Sequence, residues 1–275
     1  MKRLAFLVAV LTAAMTAAAA TAAPAPKATG DYGYSFGGVQ RHLTFNAIQS
    51  TTDTCGTFWN VTGVTQFAFR LTGDTTDYIH HVSLTQNGQT VGGQGGYPVT
   101  GGDQYHWNVT SGSLVGNTLS LTVLYDLGAP GTVMHITGTI GTGGAITGSW
   151  DDNFGGTRTG TFTASGAAVA AAYCGKGTAY YTDENGLWYF MNVKAVSVAG
   201  NTAWYAAQVT ASNFGFENAT ANYLFVKVID NGEPGIGFDV TSGDVMTESA
   251  ALAAVAGHAT PASSAVINEG NIQVH

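Results

Sequence analysis

Charge is scarce in this chain. Asp, Glu, Lys and Arg make up 9 % of its 275 residues, against about a quarter in ordinary globular proteins. The little charge present leans acidic, with 17 acids against nine bases and a formal net charge of −8. The bases are scattered and form no stripe, which argues against nucleic acid and anionic membrane as partners. Cysteine is limited to Cys55 and Cys174, so no CxxC metal ribbon exists. After the N terminus, no apolar run is long enough to span a bilayer as a helix. The common catalytic motifs are also missing. There is no GxSxG elbow, HExxH helix, Walker loop or dinucleotide fingerprint.

Glycine, threonine and alternating apolar residues fill the space. The stretch from Val133 to Phe162 reads VMHITGTI, GTGG, AITGSW, DDNFGG, TRTGTF. Short alternating runs separated by Gly-rich turns are the mark of antiparallel hairpins. Similar runs occur at VQRHLTFNAI, QFAFRL, DYIHHVSLT, QYHWNVT and TLSLTVLY. In the second half they recur at LWYFMNVKAVSV, AWYAAQVT, YLFVKVID and IGFDV. Residues 88–102 are so rich in glycine that they read as a long loop bordering any site. The run Thr247 to Gly257 has good helix formers, a cap candidate in Thr247 and a stop in Gly257.

The expected fold is therefore all-β. It has an N-terminal antiparallel barrel or sandwich of eight to ten strands over residues 31–164 and a small-residue linker over 165–176. A smaller antiparallel β-sandwich follows over 177–275, with one short helix near 247–257. Residues 1–22 read as a secretory signal: Lys2 and Arg3, an apolar run from Leu4, then Ala20-Thr21-Ala22 as the cleavage site. Its removal takes away two bases and no acid, leaving a net charge of −10. With no apolar tail after Gly270, the expectation is a secreted, released chain. In that setting Cys55 and Cys174 are expected to form a disulfide, pinning the start of the second domain onto the first.

The string from Val228 to Gly235 (VIDNGEPG) is preceded by GNTA at 200–203 and closed by GNIQVH at 270–275. It resembles the small all-β domain that follows choice-of-anchor P surface domains in secreted bacterial proteins. The resemblance covers roughly residues 177–275. The first half is similar to the β-domain found ahead of such modules. The resemblance implies an extracellular or surface setting and transfers no catalytic residue.

Three side-chain groups are candidates for chemistry. The histidines are concentrated in the first half. By alternation His42, His106 and His135 face away from the apolar side, while His80, beside Val82 and Leu84, faces inward. Converging imidazoles would suit Zn²⁺. The acidic loops Asp230, Glu233, Asp239 and Asp244, and Asp151-Asp152-Asn153, offer hard oxygen ligands for Ca²⁺, but these residue types also serve turn geometry. Trp59, Trp107, Trp150, Trp188 and Trp204 are potential sugar platforms. Trp150, at a strand end beside Asp151, Asp152 and Asn153, is the best ligand-binding candidate.

No cofactor is required by any motif. The leading functional expectation is a non-catalytic exported surface, matrix or adhesion protein. Its partner would be an extracellular polysaccharide or protein. The alternative is a binding module for glycan or a small ligand, which a deep apolar pocket with one or two convergent polar groups would favour. A second alternative is a metal- or carboxylate-dependent hydrolase.

Overall fold

The computed structural model describes residues 24–99, 102–232 and 239–275. The signal-like segment 1–22 and Glu233 lie outside the described residues. In chain order the first strands are β1 (Lys27–Phe36), β2 (Val39–Asn60), β3 (Gln66–Leu71), β4 (Tyr78–Asn87), β5 (Thr90–Val99), β6 (Gly102–Val115), β7 (Thr118–Leu127) and β8 (Val133–Ile140). Then come β9 (Ile146–Asp152), β10 (Arg158–Ala164), β11 (Ala168–Asp183), β12 (Trp188–Ala199), β13 (Thr202–Ser212), β14 (Tyr223–Ile229) and β15 (Val240–Met246). Helix α1 (Glu248–Ala256) precedes the last strand, β16 (Ala265–Val274).

These strands close into two antiparallel eight-stranded barrels. The all-β class and the short α-helix near residues 247–257 match the sequence expectation. The order of the chain does not. Strands β3 to β10 form one barrel as a continuous meander. Strands β1 and β2 instead join β11 to β16 in the other, in the order β1-β16-β15-β14-β13-β12-β11-β2. One barrel is thus inserted into the other, and the boundary between residues 164 and 177 does not separate two sequential units. Nor is the second unit a sandwich over 177–275, because it needs residues 27–49 to close.

The expected linker over 165–176 is mostly strand. Residues 168–173 of β11 run antiparallel to residues 54–60 of β2, and this two-stranded ribbon joins the barrels. Cys55 and Cys174 are bridged across it, with Cα atoms 4.8 Å apart. The bridge therefore joins neighbouring strands of one sheet, where cross-strand spacing suits the geometry.

Helix α1 begins where the sequence suggested. The Thr247 hydroxyl accepts from the Ala250 N–H, and the Gly257 N–H closes the end on the Ala253 carbonyl. The helix covers the outer face of β13 and β14. Leu252 and Val255 pack with Trp204, Tyr223 and Phe225. This is why β13 is buried almost continuously and not at alternate residues. The helix also rests on the β4–β5 turn of the inserted barrel. Asn87 and Thr260 exchange two hydrogen bonds there, at 2.9 and 3.0 Å.

Each barrel has its own core. In the inserted barrel, Phe67, Trp107, Leu119, Ile136, Ile146 and Phe162 are essentially inaccessible. The end where the chain enters and leaves is plugged by Val61, Val64, Ile140 and Ile146. The outer barrel is filled by Tyr32, Phe45, Met191 and Tyr205, among others. Its seam between β15 and β16 is short, with two residue pairs in register.

Candidate functional site

The inserted barrel is solid at its connected end and hollow at the other. The hollow has a volume of about 450 Å³. Its wall is aromatic, built from Phe69, Tyr97, Tyr105, Tyr125 and Trp150, with His80 set among them. Each comes from a different strand, and each sits near the same rim. Alternation supplies the direction, because inward residues on the antiparallel strands stack into layers.

Two glycines make the wall possible. A Cβ on Gly95 would meet the Trp107 indole at 2.2 Å, and one on Gly160 would meet the Trp150 indole at 2.6 Å. Each indole lies flat over a strand that has no side chain at that point. Residues 90–99, expected to be loop, are strand β5 for this reason. Their glycines give room for neighbours, and Tyr97 from that strand lines the cavity.

His80 is 7 % exposed. The Trp107 Nε1–H donates to its Nδ1 at 3.0 Å. An indole can only donate, so Nδ1 is an acceptor and the imidazole proton sits on Nε2. No protein acceptor among the described residues takes that Nε2–H. Burial holds the imidazole neutral and lowers its pKa from 6.5 to about 4. The site therefore presents the His80 Nε2–H, beside the hydroxyls of Tyr97, Tyr105 and Tyr125, as uncharged hydrogen-bond donors in an aromatic wall.

That depression has a measurable consequence. Between pH 6.5 and about 4 the unfolded chain binds a proton at residue 80 that the folded chain does not. Stability must then fall as pH drops through this window, by roughly 3 kcal/mol in full. Urea midpoints across pH 4–7 should show the loss in the parent and not in His80→Gln, which keeps an acceptor for Trp107. Parallel curves for the two proteins would rule out a buried neutral His80.

The rim carries the charged groups. Arg158 holds Asp152 in a two-pronged contact, Nε to Oδ1 at 2.9 Å and Nη2 to Oδ2 at 2.5 Å. The guanidinium also lies over the Phe154 ring, 4.6 Å from its centroid. The Asp152 carboxylate raises the Arg158 pKa. Burial, then Asp152, raises that of the Tyr125 hydroxyl. The two charges meet each other in this pair, so it shapes the mouth more than it offers a free charge.

Of the four ligand-binding candidates, the structure brings two together. Trp150 and Asp152, two residues apart on β9, both line the cavity. Trp150 is not the exposed strand-end platform expected. It is 8 % exposed, and its Nε1–H donates to the Thr161 carbonyl at 3.1 Å. Asp151 points to the opposite face and pairs with His135 at 3.0 Å. Asn153 accepts from the Val133 N–H at 2.9 Å, extending the β8–β9 ladder. The sequence reading missed Arg158, Tyr97 and Tyr125. The faint signal was that they share a face with residues already singled out.

The metal candidates do not converge. His80 lies in the inserted barrel, and Asp230 and Asp239 lie in the other. The two carboxylates are occupied by backbone. Asp239 accepts from the Asn231 and Ile272 N–H groups, each at 2.9 Å. Asp230 accepts from Gly232 at 2.9 Å and Val274 at 3.0 Å. They tie the β14–β15 loop to β16. Among the described residues, no group of three or more His, Cys, Asp or Glu is placed to hold a metal ion. His42, His106 and His135 sit on outer faces, paired with Asp31, Asp126 and Asp151.

No family model, curated protein or solved structure matches this chain. The functional reading therefore rests on the geometry alone. Among the described residues, no helix is long and apolar enough to cross a membrane.

Proposed function

We propose that the chain is an exported binding module whose inserted barrel takes one small, largely apolar ring compound. A hydrogen-bond acceptor on that compound would lie against His80 Nε2–H. The observation that carries this is the 450 Å³ aromatic hollow, in whose wall the His80 Nε2–H has no protein acceptor among the described residues. Such a volume lies within the ordinary range for small-molecule sites, which are mostly apolar with few polar groups. A ligand acceptor on that donor contributes about 0.5–1.5 kcal/mol.

The same features favour a small apolar compound over a polysaccharide. A closed-bottom cup admits a chain end and not a running polymer. The disulfide fits an oxidising compartment, as does the signal-like N terminus. The surface or matrix role remains compatible with this reading, as the setting in which the ligand is met.

Tryptophan fluorescence provides the test, because Trp150 lines the cavity and Trp107 bonds to His80. Compounds with a planar or alicyclic ring and one ketone or amide should give saturable one-to-one binding. Short oligosaccharides should not. His80→Phe, which removes the donor and keeps the ring, should weaken binding about tenfold, as expected for one buried hydrogen bond. Equal binding by parent and variant, or no saturation by any ring compound, would refute the proposal.

A further inference from the structure

The outer barrel is also hollow at one end, the end remote from the ribbon. Here the cup holds about 250 Å³. Arg41 stands in it beside Tyr34, Tyr181 and Tyr189. The guanidinium lowers the pKa of all three hydroxyls, although burial dominates and leaves each raised. Leu43, Leu187 and Leu224 supply apolar wall.

Among the described residues Arg41 has no carboxylate partner. Of the three arginines there, Arg70 is held by Asp77 and Arg158 by Asp152. Arg41 forms no ion pair with any of the described residues, and its Nε is buried without a hydrogen-bond partner among them. Asp183 lies across the ladder from it. That carboxylate also lines the cup, but its Oδ1 is held by its own hairpin, accepting from the Asn185 and Leu187 N–H groups at 2.9 and 3.0 Å. A hydrogen bond with the Tyr34 hydroxyl and packing position Arg41. Its guanidinium lies over the Phe36 ring, 5.1 Å from the centroid.

The inserted barrel shows the complement. There an arginine at the mouth is also laid on a phenylalanine from the adjacent hairpin, and a carboxylate completes it. We propose that the outer barrel is a second, separate binding site. It would take the carboxylate of a small organic acid on Arg41, with the acid's apolar body among the three tyrosines. The ligand carboxylate would neutralise Arg41 as Asp152 neutralises Arg158. A planar guanidinium fork matches a carboxylate in two-pronged fashion. The apolar wall selects an acid with a hydrocarbon ring or branch over a bare inorganic anion.

Titration of the full chain with benzoate, followed by the Arg41 Nε–H signal and the tyrosine ring signals in NMR, tests this. Benzyl alcohol serves as the neutral match and inorganic phosphate as the bare anion. Benzoate should shift the Arg41, Tyr34, Tyr181 and Tyr189 signals saturably. Benzyl alcohol and phosphate should bind at least tenfold more weakly. Arg41→Gln should lose benzoate binding tenfold or more while its thermal midpoint and disulfide show it folded, and Arg41→Lys should recover part of it. Equal affinity in folded Arg41→Gln, preference for phosphate, or shifts confined to the inserted barrel would each overturn the assignment. Because the readout is on Arg41, its failure leaves the His80 test untouched.

Discussion

Excised as residues 59–168, the inserted barrel should fold by itself. The remainder should also fold when Asn60 is joined to Ala168 through a two-residue glycine-rich turn. Asn60 and Ala168 face each other as partners in an antiparallel ladder. A pair so placed is closed by the shortest hairpin connection. The inserted barrel keeps all eight of its strands and its own core after excision. What it loses is the contact with α1 and a few hydrogen bonds at Asn87 and Gln89. Far-UV circular dichroism and a single cooperative urea transition for each piece are the expected results. An outer piece that collapses without the insert would show that the two barrels are one folding unit.

The second large effect concerns the bridge. Cys55 and Cys174 are 119 residues apart in sequence. If both barrels unfold together, the chain-entropy model assigns a loop of this size about 4–5 kcal/mol. If the inserted barrel stays folded, it holds Asn60 near Ala168 and the free part of the loop is short. The bridge is then worth about 3 kcal/mol. The double substitution C55S/C174S should therefore lower the urea stability of the outer barrel by one of these amounts. Trp188 and Trp204 report on the outer barrel, and Trp107 and Trp150 on the inserted one. A loss near the smaller figure with a lagging inserted-barrel transition identifies stepwise unfolding. Equal stability with and without the bridge would contradict the argument.

Much of this fold was visible as pattern. Alternation placed His80 inward and His42, His106 and His135 outward, because a strand shows its faces in its own sequence. The helix over residues 248–256 announced itself through Thr247 and Gly257. What alternation cannot carry is partnership. Nothing in residues 27–60 says that their neighbours lie beyond residue 167, since register and pairing are set by shape over long range. The glycines of β5 misled for a related reason. They mark the room taken by Trp107, which lies on another strand. The site was half legible. Trp150 and Asp152 share a face, and that can be read locally. Their convergence with His80, Tyr97 and Arg158 depends on closure of the barrel.

The nested arrangement also sets an order of events during synthesis. Emerging N terminus first, the ribosomal product displays β1 and β2 as a lone hairpin while more than a hundred further residues are made. The meander from β3 to β10 needs only near neighbours and can mature at once. When it does, it brings the start of β11 beside the end of β2. A distant encounter thereby becomes a local one. The insert thus acts as the clasp that lets the surrounding barrel zip shut.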